Sequence, residues 1–207
     1  MPAAPPVTVA DLREDARQLV AEGFSDDDAI VDILTTWFTV DLETDETIRD
    51  PEVVRPVARR ATAAAVRAHR RQQARWPAVT DCDRLDAAFA LLERRGVLAR
   101  QHFTDCASDG LHEIGVEMAD AQASRKRPVV GYAFYHTQAT EVAMAGGGLF
   151  IMFGSAVVND VAGDKAVGRR VFRALREAGL SPVWSGDPRQ SVLVPLKWQR
   201  RRPDPAA

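Results

Sequence analysis

The sequence has little of what most recognisable sites are made from. It contains two cysteines, Cys82 and Cys106, and four histidines in 207 residues. Two cysteines exclude a disulfide scaffold, and a reducing, cytoplasmic setting is the simpler expectation. Structural zinc calls for four nitrogen or sulfur ligands, usually in paired spacings, and no such pair occurs. Lysine is scarce as well: Lys126, Lys165 and Lys197 stand among arginines. With abundant alanine, that usage points to a high-GC bacterial genome rather than to a function. No apolar run approaches the roughly 20 residues of a membrane-spanning helix. The opening MPAAPPVTVADL has neither the positive nor the apolar region of a secretory signal. There is no dinucleotide fingerprint, no G-x-S-x-G and no phosphate loop. Gly146-Gly147-Gly148 precedes a strand instead of joining strand to helix, so it reads as a helix end and tight turn. Nothing in the sequence implies a cofactor.

What is present is a chain with 46% hydrophobic residues, enough for a real core, and a net charge of −2. So small a net charge provides no global field for nucleic acid or an anionic membrane. The charge is segregated, however. Residues 1–50 hold thirteen acids against Arg13, Arg17 and Arg49, and residues 51–76 hold seven arginines against Glu52. The change near Trp76-Pro77 divides a polarised helical unit, 1–76, from a mixed remainder, 77–198, with a flexible basic tail expected over 199–207.

In the first unit, Thr8-x-x-Asp11 forms a capping-box pattern ahead of Val9, Leu12, Ala16, Leu19 and Val20 at helical spacing, with Gly23 as C-cap. Ser25 opens a second helix with Ile30, Ile33, Leu34 and Trp37 on its apolar face. Asp50-Pro51 opens a third, which either kinks at Pro56 or starts after Pro51. Val57, Ala61, Ala64, Ala65 and Ala68 share one side of it, and Arg59, Arg60, Arg67, Arg70 and Arg71 the other. Clustered arginine can track phosphates. No stacking aromatics interleave with it and no recognition helix follows, so a solvated face is the better reading and nucleic acid is not expected as a partner.

From Thr80 onward the pattern turns mixed. Thr80-x-x-Asp83 caps a helix with Leu85, Ala88, Phe89 and Leu92 inward; 97–103, 129–137 and 149–153 read as strands. Residues 111–122 and 138–145 read as helices, Asp164 as the cap of a helix with Val167, Val171 and Leu175 inward, and 183–196 as a hairpin around Gly186-Asp187-Pro188. The expected fold is α/β (α+β): a two-layer sandwich of a four- to five-stranded mixed sheet with helices mainly on one face, preceded by the small helical unit.

The runs CDRLDAAFALLERRGVLARQHFT (82–104), GYAFYHTQATEVAMAGGGLFIMFG (131–154) and Val167 to Trp198 resemble an uncharacterised bacterial family, the domain of unknown function numbered 6891. The resemblance is close over about two thirds of the chain and looser in the helical part. The family pattern carries two adjacent cysteines and a third three residues on, followed by glycine. Here those positions are Asp105, Cys106 and Asp109, with Gly110, Glu113 and Ile114 matching. If the family's cysteines hold a soft metal or do redox chemistry, the resemblance implies that this member does not.

Two regions could carry a site. Residues 103–114, FTDCASDGLHEI, gather Asp105, Cys106, Asp109 and Glu113, a candidate hard-cation set without an EF-hand pattern. Cys106 with His112, His102 and His136 would be a poor zinc set, since His112-Glu113 lacks the second histidine of HExxH. As a nucleophile Cys106 would need a neighbouring base, and its acidic neighbours work against a thiolate. The second region is Tyr135 to Glu141, where a strand gives way to a helix, a place where open α/β sheets form binding crevices. His136 there is either a hydrogen-bonded structural histidine or a ligand-facing one, with Gln138 and Glu141 as polar partners and Trp184 as a wall. The absence of a complete catalytic set favours a non-catalytic module that binds a small molecule or a protein. The alternative is a small hydrolase or metal-assisted enzyme using His136 with Glu113, Asp105 or Asp109. An oligomer is compatible with either, and no membrane association is expected.

Overall fold

The computed structural model describes residues 8–41, 46–47, 49–124 and 128–203. The chain forms two compact units, residues 1–77 with 200–207, and residues 78–199.

The first unit holds α1 (Val9–Glu22), α2 (Asp27–Thr39), a short antiparallel pair β1 (Val40–Asp41) and β2 (Glu46–Thr47), and α3 (Pro51–Gln73). The Thr8 capping box is formed: Asp11 N–H donates to the Thr8 hydroxyl, and Thr8 N–H donates to the Asp11 carboxylate at 2.6 Å. Gly23 closes α1 at φ 78°, a left-handed conformation that glycine adopts without strain. At α2 the cap is Asp26, whose carboxylate accepts from Ala29 N–H, and not Ser25. The core joins Leu12, Ala16, Val20, Ile30, Leu34 and Phe38 with Val54, Ala58 and Ala65 of α3. The buried faces are rotated from those expected. Trp37 and Ala64 are exposed, whereas Phe38, Ala58 and Val66 are buried. The cause is that α3 packs against both α1 and α2, so its buried arc is wider than a single stripe. The helix starts at Pro51 and runs through Pro56. Arg55 on its outer side pairs with Asp32 at 2.6 Å.

The last described residues do not form a loose tail. Arg202 is 7% exposed, and its guanidinium donates to Ser25 O at 3.0 Å and to the Asp27 carboxylate at 2.6 Å. Gln73 clamps its backbone in both directions, Arg202 N–H to Gln73 Oε1 and Gln73 Nε2 to Arg202 O. The Arg200 guanidinium stacks 4.3 Å from the Phe24 ring centre. A run of arginines reads as solvated in sequence, but these side chains have acceptors and an aromatic face waiting on the helical unit.

The second unit contains α4 (Asp81–Arg94), β3 (Val97–Arg100), α5 (Ala107–Ala123), β4 (Gly131–Phe134), α6 (Thr137–Met144), β5 (Leu149–Ser155), α7 (Val161–Glu177) and β6 (Val192–Val194). Its fold is α+β. The four-stranded sheet has the order β3-β4-β5-β6, with β3 and β4 parallel and the other pairs antiparallel. Alternation along β4 divides the two layers. Tyr135 meets Phe89 of α4, and Gly131 abuts Val167 of α7. Phe134 instead packs with Leu98 and with Ile114 of α5, so α5 lies across the opposite face of the sheet. The expected hairpin is reduced to β6 and one antiparallel bridge, Val183 to Leu193. The intervening turn is held by its own bonds, Trp184 Nε1–H reaching both Asp187 O and Gln190 O.

Candidate functional site

The ends of the parallel strands β3 and β4 bring the two sequence candidates together. Phe103 N–H donates to Tyr135 O at 2.8 Å, Thr137 N–H to Thr104 O at 3.0 Å and Gln138 N–H to Asp105 O at 3.4 Å. The 101–105 segment turns sharply to do this, with His102 at φ 51° and Thr104 at φ 59°. Residues 103–105 therefore border His136, a question the sequence left open.

At this corner the side chains are occupied in building the fold. His136 is the N-cap of α6, its Nδ1 accepting from Ala139 N–H at 3.3 Å. Burial lowers its pKa below the ordinary 6.5, partly opposed by its bond to the Asp105 backbone. The neutral ring is the form a cap needs, because only an unprotonated nitrogen can accept. His102 Nδ1 lies 3.0 Å from the Thr140 hydroxyl, and Tyr135 O–H donates to Gln101. Gln138 and Glu141 are exposed on α6. Cys106 is the N-cap of α5, and its thiol donates to the Asp109 carboxylate at 3.2 Å. Asp105 and Glu113 are exposed. Among the described residues no three histidine, cysteine, aspartate or glutamate side chains are grouped so as to hold a metal ion, so Asp105, Cys106, Asp109 and Glu113 do not converge as a ligand set. Trp184 stacks edge-on against Phe153 at 5.5 Å and borders Gly168. Among the described residues no hydrogen bond or ring contact joins it to His136.

A cavity of about 260 Å³ lies elsewhere on the unit. It is lined by Tyr132 of β4, Met152, Phe153 and Gly154 of β5, Leu111 of α5, Asp164 of α7 and Pro188 to Ser191. Gly154 is required there: a Cβ would sit 2.5 Å from the Tyr132 hydroxyl, so only glycine lets the phenol lie over β5. Asp164 is not the cap of α7. Asp160 fills that place, accepting from Gly163 N–H at 2.9 Å, which leaves Asp164 to accept from Ser155 N–H at 2.7 Å with one oxygen. Burial, with the Asp164 charge second, raises the Tyr132 pKa above 10.0, so the phenol keeps its proton. Tyr132 makes no hydrogen bond among the described residues, so its hydroxyl is left for whatever enters. The Arg189 side chain, which also lines the cavity, is 89% exposed, its Nε 3.5 Å from the Asp187 carboxylate.

Sequence reasoning missed Tyr132, Asp164 and Arg189 as site residues. Tyr132 reads as one aromatic of a central strand, and Asp164 as a helix cap. The available signal was the second acid: with Asp160 four residues earlier and able to cap, Asp164 was surplus to the helix.

The fold defines a small α+β protein with a helical unit, and its α+β unit carries this cavity. The chain belongs to the DUF6891 family, a domain of unknown function, which it matches over residues 6–202. No curated protein and no solved structure matches it.

Proposed function

We propose that this chain is a non-catalytic binding module whose α+β unit holds a small molecule in the Tyr132–Asp164 pocket. The observation that carries the reading is that an unpartnered phenol and a carboxylate fixed by Ser155 N–H line one concave site, polar groups of the kind that orient a small ligand. The enzyme alternative has less support. His136 Nδ1 is taken by Ala139, and Asp109 is taken by the Cys106 thiol. Two free cysteines, one buried and one half-buried, fit residence in a bacterial cytoplasm. No helix of the described residues is long and apolar enough to cross a membrane.

Native mass spectrometry of the gently purified chain tests the reading, followed by a thermal-shift screen. A co-purifying small molecule, or a stabilising one from the screen, is expected, and Tyr132→Phe with Asp164→Asn should abolish it while the fold is kept. A bare chain mass, together with a screen that stabilises nothing, overturns it.

A further inference from the structure

Resting on that pocket, we propose that its ligand is a small zwitterion, an amino acid or a compound of the same charge pattern, with its ammonium at Asp164 and Tyr132 and its carboxylate at Arg189.

The charges decide the class. Asp164 is held by Ser155 N–H through one oxygen, leaving the other as an acceptor for a cation. The Tyr132 hydroxyl lines the same cavity and adds lone pairs, and an ammonium with three N–H donors can use both groups. Among the described residues the Arg189 guanidinium, which lines the same cavity, is paired with Asp187 alone, at a distance too long for a strong hydrogen bond. Its planar fork suits a carboxylate better than a lysine would. A simple anion would be repelled by Asp164, and a simple cation would leave the Arg189 guanidinium without a ligand contact. A molecule carrying both charges a few bonds apart meets neither penalty. A cavity of about 260 Å³ is in keeping with a ligand of amino-acid size. Leu111 and Met152 provide apolar wall for a side chain.

Isothermal titration calorimetry of the full chain against three probe sets tests this: free amino acids, the matching amines without the carboxylate, and the matching carboxylates without the amine. At least one amino acid should bind about tenfold or more tighter than its amine and its acid. Asp164→Asn and Arg189→Ala should each weaken that binding about tenfold, with unfolding midpoints near the parent value. Asparagine keeps the acceptor for Ser155 N–H, so that variant should fold. Amines or acids that bind as tightly as the amino acid overturn the zwitterion, as does binding indifferent to Arg189→Ala. If no probe binds while native mass spectrometry still carries a ligand that Tyr132→Phe removes, the zwitterion falls and the pocket stands. If that ligand is missing too, both fall.

Discussion

Gly110 and Gly115 lie five residues apart on α5 and should respond oppositely to the same substitution. A Cβ at Gly110 would overlap the Phe134 ring, whereas nothing lies within 4 Å of one at Gly115. Alanine gains about 0.5–1 kcal/mol over glycine inside a helix. Forcing a methyl into a packed core costs about 1–3 kcal/mol. Gly115→Ala should therefore stabilise by about 0.5–1 kcal/mol, and Gly110→Ala should destabilise by about 1–2 kcal/mol in urea unfolding. Equal effects would mean that Phe134 moves aside freely. Histidine offers a second test at this scale. His69 is buried against Trp76, with Arg200 O 3.0 Å from its Nε2, and burial first, then the Arg202 charge, lowers its pKa below 6.5. The folded chain thus resists a proton that the unfolded chain accepts. Stability is full above pH 6.5 and is lost as pH falls through that value toward the lower folded pKa. His136, shifted the same way, adds to the loss. Unfolding midpoints measured from pH 7 to 5 should fall, and His69→Phe should flatten the slope. An unchanged slope would assign the effect to other groups.

At the scale of the element, caps and periodicity were legible and roles were not. Thr8 and Thr80 with their third-position acids close capping boxes as their spacing requires. Such local bonds need no knowledge of the rest of the fold. Thr80→Ala should cost about 1 kcal/mol, more than a surface threonine, because its hydroxyl is buried with the cap. The α7 terminus shows where local reasoning stops. Asp160 and Asp164 are both credible caps, and only the position of β5 decides that Ser155 N–H takes the second. Asp160→Ala should lower stability by about 1 kcal/mol, whereas Asp164→Asn should leave the unfolding midpoint nearly unchanged and act on the pocket. The same limit applies to the candidate site. His136 was found by residue type and position, but its capping role depends on where α6 begins. Tyr132 carried no signal, since a pocket formed by β4, β5, α5, α7 and a turn is a product of long-range pairing. The helical faces slipped by a residue or two for a like reason, α3 having two neighbours where one stripe was assumed.

At the scale of the molecule, chain order and unit order differ. The change in charge and pattern near Trp76-Pro77 pointed to a division there, and the compact units part after Pro77. The return of Arg200 to Arg202 to the first unit was not legible, because three arginines in a row give no sign of a destination. That return has an energetic consequence that can be measured. Arg202 donates to Ser25 O and to Asp27 while almost wholly out of water, and Gln73 holds its backbone. Hydrogen bonds from a charged group contribute about 1.5–3 kcal/mol. Asp27 is half-exposed and regains water when the pair is broken, which limits the loss. Arg202→Ala should therefore destabilise by about 2–3 kcal/mol. Arg202→Lys should recover less than half of that, because one ammonium on a flexible stem matches two separate acceptors poorly. All of these partners belong to the helical unit, so hydrogen exchange should accelerate in α2 and α3 and stay unchanged in β4 and β5. Ending the chain after Gln199 should reproduce the pattern and enlarge it, since Arg200 also loses its stacking on Phe24. Unchanged protection of α3 in that shortened chain would show that the three helices hold together without the returning strand of arginines.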